Sequence, residues 1–126
     1  MDALLSSVSS AAPLLAGVAP WFGLYAGVFG VSWFAAPALL EHVRKMSSAE
    51  KSYWCSSMCS TVNSFVVTPL AYAACASLHL WAPSASFTVR SALSTMSCHA
   101  LLGYTAFDML PLLYYRDEWA LSLIHI

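Results

Sequence analysis

Charged residues are scarce in this 126-residue sequence, at 9% of the chain, and their scarcity excludes one large group of functions. The five basic residues form no Lys/Arg cluster, so the chain lacks the phosphate-neutralising surface that nucleic-acid binding requires. The formal net charge of -1 agrees with this. We therefore expect no nucleic-acid partner.

Familiar catalytic and metal-binding motifs are also missing. The sequence contains no G-x-x-x-x-G-K, G-x-S-x-G or H-E-x-x-H, the signatures of phosphate binding, acyl hydrolysis and zinc proteolysis. Cys55 and Cys59 share a helical face, but no second pair completes the four ligands that zinc takes. We expect no metal and no cofactor, assign no catalytic residue, and lean against an enzyme.

Apolar residues are abundant, at 60% of the chain with a mean hydropathy of +0.68, which is typical of a membrane protein. Residues 21–40 alone form an uncharged run of about the length that crosses a ~30 Å hydrocarbon core. Two further apolar segments span residues 55–80 and 91–115. The sequence predicts an all-α integral membrane protein with about three transmembrane helices in an incomplete bundle. Residues 1–20 are predicted to be a lead-in, separated from the first span by Pro20.

The distribution of basic residues predicts the orientation. Four of the five lie in the loop after the first span or in the YYRDEW segment after the third: Arg44, Lys45, Lys51 and Arg116. Under the positive-inside rule the N-terminus then faces the lumen or exterior, and the first loop faces the cytosol.

Asp108 is the one carboxylate inside the predicted spans, within GYTAFDMLPLLYY. A carboxylate in the middle of a membrane helix costs at least ~2.5 kcal/mol, so it should face protein or a water-filled cavity. Tyr104 lies one turn earlier and is placed to donate a hydrogen bond to it. Two interpretations stay open: a proton-transferring or substrate-contacting group, or a structural group that makes a hydrogen bond between helices or anchors the helix end. Other residues share this helical face: Ser94, Ser97, Leu101, Thr105 and Tyr115.

His99 and Asn63 are two further candidates. His99 is half a turn out of phase with Asp108, so the two do not pair within one helix, but His99 can meet another helix. Asn63 shares a face with Ser56, Cys59 and Ser60, which favours helix packing or substrate binding. The candidate pocket residues are therefore Asp108, Tyr104, Asn63, Ser97 and His99.

Two short segments carry a resemblance to a known family. STVNSFVV at residues 60–67 resembles the S-T-x-H-A-x-x-V segment of the TLC-domain family, and GYTAFD at residues 103–108 resembles its G-Y-x-x-x-D. A basic loop leading to Trp54 precedes them and an acidic aromatic turn follows, so the resemblance covers roughly residues 47–119. Asn63 stands where the family often has histidine. The family comprises multi-pass membrane proteins, among them ceramide synthases and translocation-associated membrane proteins.

The resemblance implies a lipid-related function in the endoplasmic reticulum or another endomembrane: sensing, regulating or handling acyl chains in a pocket between helices. Membrane lipids are the implied partners, with other membrane helices or subunits as further ones. One alternative is a ceramide-synthase-type acyltransferase whose catalytic half, with its His-His pair, lies beyond this chain. The other is a non-catalytic scaffold or translocation-associated subunit.

The last six residues, LSLIHI, match what an in-frame reading of a transposase mosaic-end adapter would encode. We therefore expect residues 121–126 to be a non-native tail and residues 21–120 to be part of a TLC-like membrane domain that continues in a longer protein. The alternative is that LSLIHI begins a native fourth span.

Overall fold

The computed structural model describes residues 2–80 and 91–116, with side chains from residue 11 onward. The elements are α1 (Asp2–Leu39), α2 (Glu41–Arg44), α3 (Ser48–Ser77) and α4 (Ala92–Tyr114). Within these described residues every regular element is a helix, which confirms the all-α prediction. The six C-terminal residues lie outside the described part.

Helix α1 is longer than the sequence predicts. It runs without a break for 38 residues and contains Pro13, Pro20 and Pro37, so the predicted break at Pro20 is wrong. A proline inside a helix removes one backbone hydrogen bond but leaves the others in place. In a segment this apolar, the helix is the conformation that keeps the remaining backbone groups bonded, which favours continuity over a break.

Capping boxes determine where α3 and α4 begin. The Ser47 hydroxyl accepts from the Glu50 amide at 3.3 Å, while the Glu50 carboxylate accepts from the Ser47 amide at 2.8 Å. Ser91 and Ser94 make the same reciprocal pair at the start of α4. Such caps bond amides that the first helical turn leaves without partners. Helix α3 consequently starts at Ser48, before the predicted apolar boundary at residue 55, whereas α4 matches the third predicted span within one residue at each end.

The three long helices pack as an up-down-up bundle. Residue numbers increase in the same direction along α1 and α4 at their contacts: Gly17 lies against His99, and Trp21 lies against Gly103. Contacts between α1 and α3 run in opposite directions, with Tyr25 on Asn63 and Trp33 beside Lys51. Helix α3 is therefore antiparallel to the other two.

A small aromatic core holds the bundle. Tyr25, Cys59 and Phe107 form its buried centre, one from each long helix. Phe107 meets the rings of Phe22 and Phe29 edge to face, with centroids 5.8 and 5.5 Å apart. Edge-to-face pairs add roughly 0.5–1.5 kcal/mol to what apolar burial alone contributes.

Two helices are long and apolar enough to cross a membrane: Ala11–Leu39 within α1, and Ser48–Ser77. Only 6% and 11% of their most apolar windows are buried within the bundle. Large apolar side chains instead point outward; Phe34 is 79% exposed and Phe65 is 78% exposed. Helix α4 is not in this group, so a third span stays a prediction.

The glycines of α1 divide into two kinds. A Cβ added at Gly23 or Gly27, the GLYAG pair, would meet nothing within 4 Å among the described residues. Gly17, by contrast, lies directly under the imidazole of His99. On α4, a Cβ at Gly103 would sit 2.6 Å from Trp21 Cβ and 2.9 Å from the Phe22 nitrogen. Gly17 and Gly103 thus allow α1 and α4 to approach closely.

Replacing Gly103 tests this crossing. We expect Gly103→Ala to lower the free energy of unfolding by about 1–3 kcal/mol, because the methyl group meets the backbone of α1 and forces the helices apart. Unfolding in detergent, followed by circular dichroism, measures the change. Gly23→Ala is the matched control and should be neutral or slightly stabilising. Equal effects of the two substitutions would contradict the close crossing.

Candidate functional site: a polar seam beside an apolar cleft

Asp108 turns inward and bonds to a neighbouring helix. The Ser56 hydroxyl of α3 donates to its Oδ1 across the α3–α4 contact. Ser56 is 9% exposed, and Asp108 is half-buried. The carboxylate therefore faces protein, and its nearest identified partner is a serine hydroxyl.

A second buried pair joins α1 to α3. The Tyr25 hydroxyl donates to Oδ1 of Asn63 at 2.9 Å, and both residues are buried. The Cys59 thiol, one turn before Asn63, donates to the Tyr25 carbonyl at 3.5 Å. Asn63 thus bonds to α1, so it does not act on Asp108 directly.

Tyr104 connects the two pairs. Its ring packs edge to face on that of Tyr25, with centroids 5.4 Å apart, and its side chain interacts with those of Ser60 and Asp108. We call the set Tyr25, Ser56, Asn63, Tyr104 and Asp108 the polar seam. Each member interacts with another member, and between apolar helices such bonds act mainly as links that hold the bundle together.

The predicted polar face of α4 is inward only in part. Thr105 and Leu101 are exposed, and the Thr105 hydroxyl bonds back to the Leu101 carbonyl at 2.9 Å. The buried line of α4 consists of small and aromatic residues: Ala100, Gly103, Phe107 and Pro111. A polar side chain can therefore bond to the backbone of its own helix and remain exposed, so sharing a helical face with Asp108 does not show that a residue points inward.

His99 and Ser97 lie apart from the seam. His99 packs over Gly17 and lines a shallow cleft of about 330 Å³. The other residues of that cleft are Leu14, Ser94, Thr95, Cys98 and Leu102. Ser97 is half-buried on α4. The structure therefore brings together Asp108 and Tyr104 with Asn63 nearby, while His99 lies closer to the N-terminal end of α4.

A larger apolar cleft adjoins the seam. It measures about 610 Å³ and lies between the C-terminal parts of α1 and α4 and the start of α3. Its lining is almost wholly apolar or aromatic: Phe29, Gly30, Trp33, Phe34, Ser52, Phe107, Leu110, Pro111, Tyr114 and Tyr115. This size is within the range of ~300–1,000 Å³ that small-molecule sites occupy. We call it the apolar cleft.

Sequence reasoning missed Tyr25 and the cleft-lining Ser52. Tyr25 sits in an apolar run that reads as uniform membrane helix, and its hydroxyl was the available signal. Ser52 lies before the apolar boundary, in a stretch that reads as loop. Within residues 2–80 and 91–116, no group of three or more His, Cys, Asp or Glu side chains is placed to hold a metal ion.

A double-mutant cycle tests the Tyr25–Asn63 bond. We expect Tyr25→Phe and Asn63→Ala to be coupled by about 1 kcal/mol in unfolding free energy, the size of an inter-helix hydrogen bond between membrane helices. Unfolding in detergent gives the four values. Pairing Tyr25→Phe with Ser64→Ala is the control, since Ser64 bonds only to its own helix at Ser60 and should show no coupling. Equal coupling in both cycles would mean that Tyr25 and Asn63 do not interact.

Comparison with known proteins adds no relative. No protein family, curated protein or solved structure matches this chain.

Proposed function

We propose that this chain is a TLC-domain-like, multi-pass membrane protein that holds a lipid acyl chain in the apolar cleft. The cleft is the observation that carries the proposal, because it is large, aromatic-lined and next to helices whose outward faces are also apolar. A polar metabolite would lose its hydration on such a lining, whereas a hydrocarbon chain has none to lose. A groove with this lining favours such a ligand over a polar metabolite.

The position of the cleft supports a lipid. It lies at the end of the bundle where α1 finishes and α3 begins, with Trp33, Tyr114 and Tyr115 in its lining. Tryptophan and tyrosine concentrate at the membrane–water interface. In this proposal α4 is the third span, the first loop is cytosolic, and the cleft opens at the cytosolic interface of an endomembrane such as the endoplasmic reticulum.

The polar seam serves this function by fixing the helices. Ser56 and Asp108 link α3 to α4, and Tyr25 and Asn63 link α1 to α3, so the walls of the cleft keep their spacing. The two segments that resemble the TLC family are the ones that supply Asn63 and Asp108. The Ser56–Asp108 hydrogen bond joins the second segment to the helical turn just before the first.

A second candidate function is a non-catalytic scaffold. One observation favours it: the seam residues interact with one another, as expected of groups whose purpose is packing. The outward apolar side chains would then meet helices of a partner instead of lipid. The two candidates differ in whether the apolar cleft is occupied by a hydrocarbon chain.

Filling the cleft tests its occupancy by lipid. Gly30 lines the cleft, and a Cβ added there meets nothing within 4 Å, so Gly30→Leu adds bulk without a clash at Cβ. We expect it to reduce labelling of the cleft by a photoreactive acyl-chain phospholipid in nanodiscs by about tenfold. Gly23→Leu is the matched control, because it makes the same change on α1 away from the cleft lining. Undiminished labelling in Gly30→Leu, or none in the wild type, would refute lipid binding there.

Asp108→Asn separates packing from chemistry. Asparagine keeps the Oδ1 acceptor for the Ser56 hydroxyl, so we expect less than about 1 kcal/mol of lost stability, whereas Asp108→Leu removes the acceptor and costs about 1–3 kcal/mol. The lipid composition of cells expressing Asp108→Asn should equal that of cells expressing the wild type at matched abundance. An altered composition with intact folding would instead assign chemistry to the carboxylate.

A further inference from the structure

Ser52 is the polar exception inside the apolar cleft. Its side chain is fully buried, at 0% exposure, and its Oγ has no hydrogen-bond partner among the described residues. Buried hydroxyls nearly always have a partner, and leaving one without a partner costs free energy. Ser52 also belongs to the cleft lining, so the missing partner can come from a bound molecule.

Other hydroxyls of α3 show that Ser52 is unusual. Ser57, Thr61 and Ser64 each donate to the carbonyl four residues earlier, at 2.9–3.0 Å. This backbone bond is the common solution for a serine within a helix. Ser52 does not make it, although it lines the apolar cleft.

The surrounding charges select the partner. The Asp108 carboxylate is bonded to Ser56, one turn along α3 from Ser52, and it disfavours an anion nearby. The ammonium group of Lys51 lies over the Trp33 ring, 4.3 Å from its centroid, at the side of the cleft. A charged group on this apolar lining would lose hydration, and none of the lining residues carries a charge to pair with it. A neutral hydrogen-bond acceptor is therefore the best fit for Ser52.

The position of Ser52 along the cleft indicates which kind of neutral acceptor fits. It lies in the second turn of α3, close to the first loop, while Phe29 and Phe107 line the cleft further toward the middle of the bundle. A chain lying on Phe29 and Phe107 would have its carbonyl end toward the loop. Acyl esters of bilayer lipids have this arrangement, with the hydrocarbon inward and the ester oxygens near the interface.

We infer that the apolar cleft binds an ester-linked acyl chain, with the Ser52 hydroxyl donating a hydrogen bond to the acyl carbonyl. This rests on the proposed function and adds to it the linkage by which the bound chain is recognised. Ser52 is covered in the bundle, so binding of the carbonyl requires a neighbouring side chain of the lining to move aside. No bond is made or broken, so the site is one of binding and not of transfer.

Two phospholipids that differ only in linkage test the inference. They carry the same head group and the same photoreactive chain, joined to glycerol by an ester in one and by an ether, which lacks the carbonyl, in the other. In nanodiscs, the wild type should label in the cleft about 3- to 10-fold more with the ester lipid, the effect of one hydrogen bond. Ser52→Ala should label equally with both. Ser57→Ala, whose hydroxyl bonds to the Tyr53 carbonyl, is the matched control and should keep the preference.

The outcomes separate this inference from the proposed function. Equal labelling of the wild-type cleft by both lipids, still reduced by Gly30→Leu, overturns the role of Ser52 and leaves acyl binding intact. Absence of cleft labelling with either lipid overturns both. Ser52→Ala should keep the stability of the wild type in lipid-free detergent, since it removes an unbonded group. A loss of stability by more than twofold in the unfolding equilibrium constant would show an internal partner for the hydroxyl and overturn the inference.

Discussion

The structure depends on one constraint: in a chain this apolar, polar groups must find hydrogen-bond partners within the protein. The backbone meets it by forming helices throughout the described ranges, and α1 stays continuous even through three prolines. At the starts of α3 and α4, side chains supply the partners. Ser47 and Glu50 cap α3, and Ser91 and Ser94 cap α4, each pair bonding to backbone amides that lack a partner within the helix. Inside the bundle it produces the polar seam, in which hydroxyl, amide and carboxylate groups of different helices bond to one another. Among the side chains that the structure describes, Ser52 is the buried one that departs from it, and it lines the apolar cleft.

Close packing depends on the absence of side chains at two positions. Gly17 and Gly103 sit where α1 crosses α4, one beneath an imidazole and the other against the backbone near Trp21. This approach brings Tyr104 onto Tyr25 and Phe107 onto Phe22, so the aromatic core and the seam share the same crossing. Interaction between helices at small residues is a common solution where hydrophobic burial does not distinguish a helix from lipid. Gly23 and Gly27 have the spacing of a helix-contact motif, but no described residue lies close to either, so this spacing alone does not produce a helix contact.

Hydropathy located the long helices but not their ends or their partners. Helix α4 matches the third apolar segment within a residue at each end, because the apolar run and the capping serine coincide. The second helix starts earlier than predicted, since Ser47 and Glu50 cap it upstream of the apolar boundary; the S-x-x-E spacing was the readable signal. For the site, the inward position of Asp108 follows from the cost of a carboxylate in an apolar helix. Its partner does not, because helical periodicity says which residues share a face and not which helix lies opposite. Tyr25 and Ser52 became visible only when three helices were packed together.

The up-down-up order also has an electrostatic effect at the ends of the bundle. The C-termini of α1 and α4 lie at the same end as the N-terminus of α3, so two helix dipoles point one way and a single one opposes them. About one macrodipole is left over, with its partial negative charge at the end that carries the first loop. Arg44, Lys45 and Lys51 lie at that end, together with Arg116 just after α4. The basic residues that predict a cytosolic first loop therefore lie where the excess of carbonyl ends favours positive charge, and Lys45 there also pairs with Glu41 at 2.8 Å.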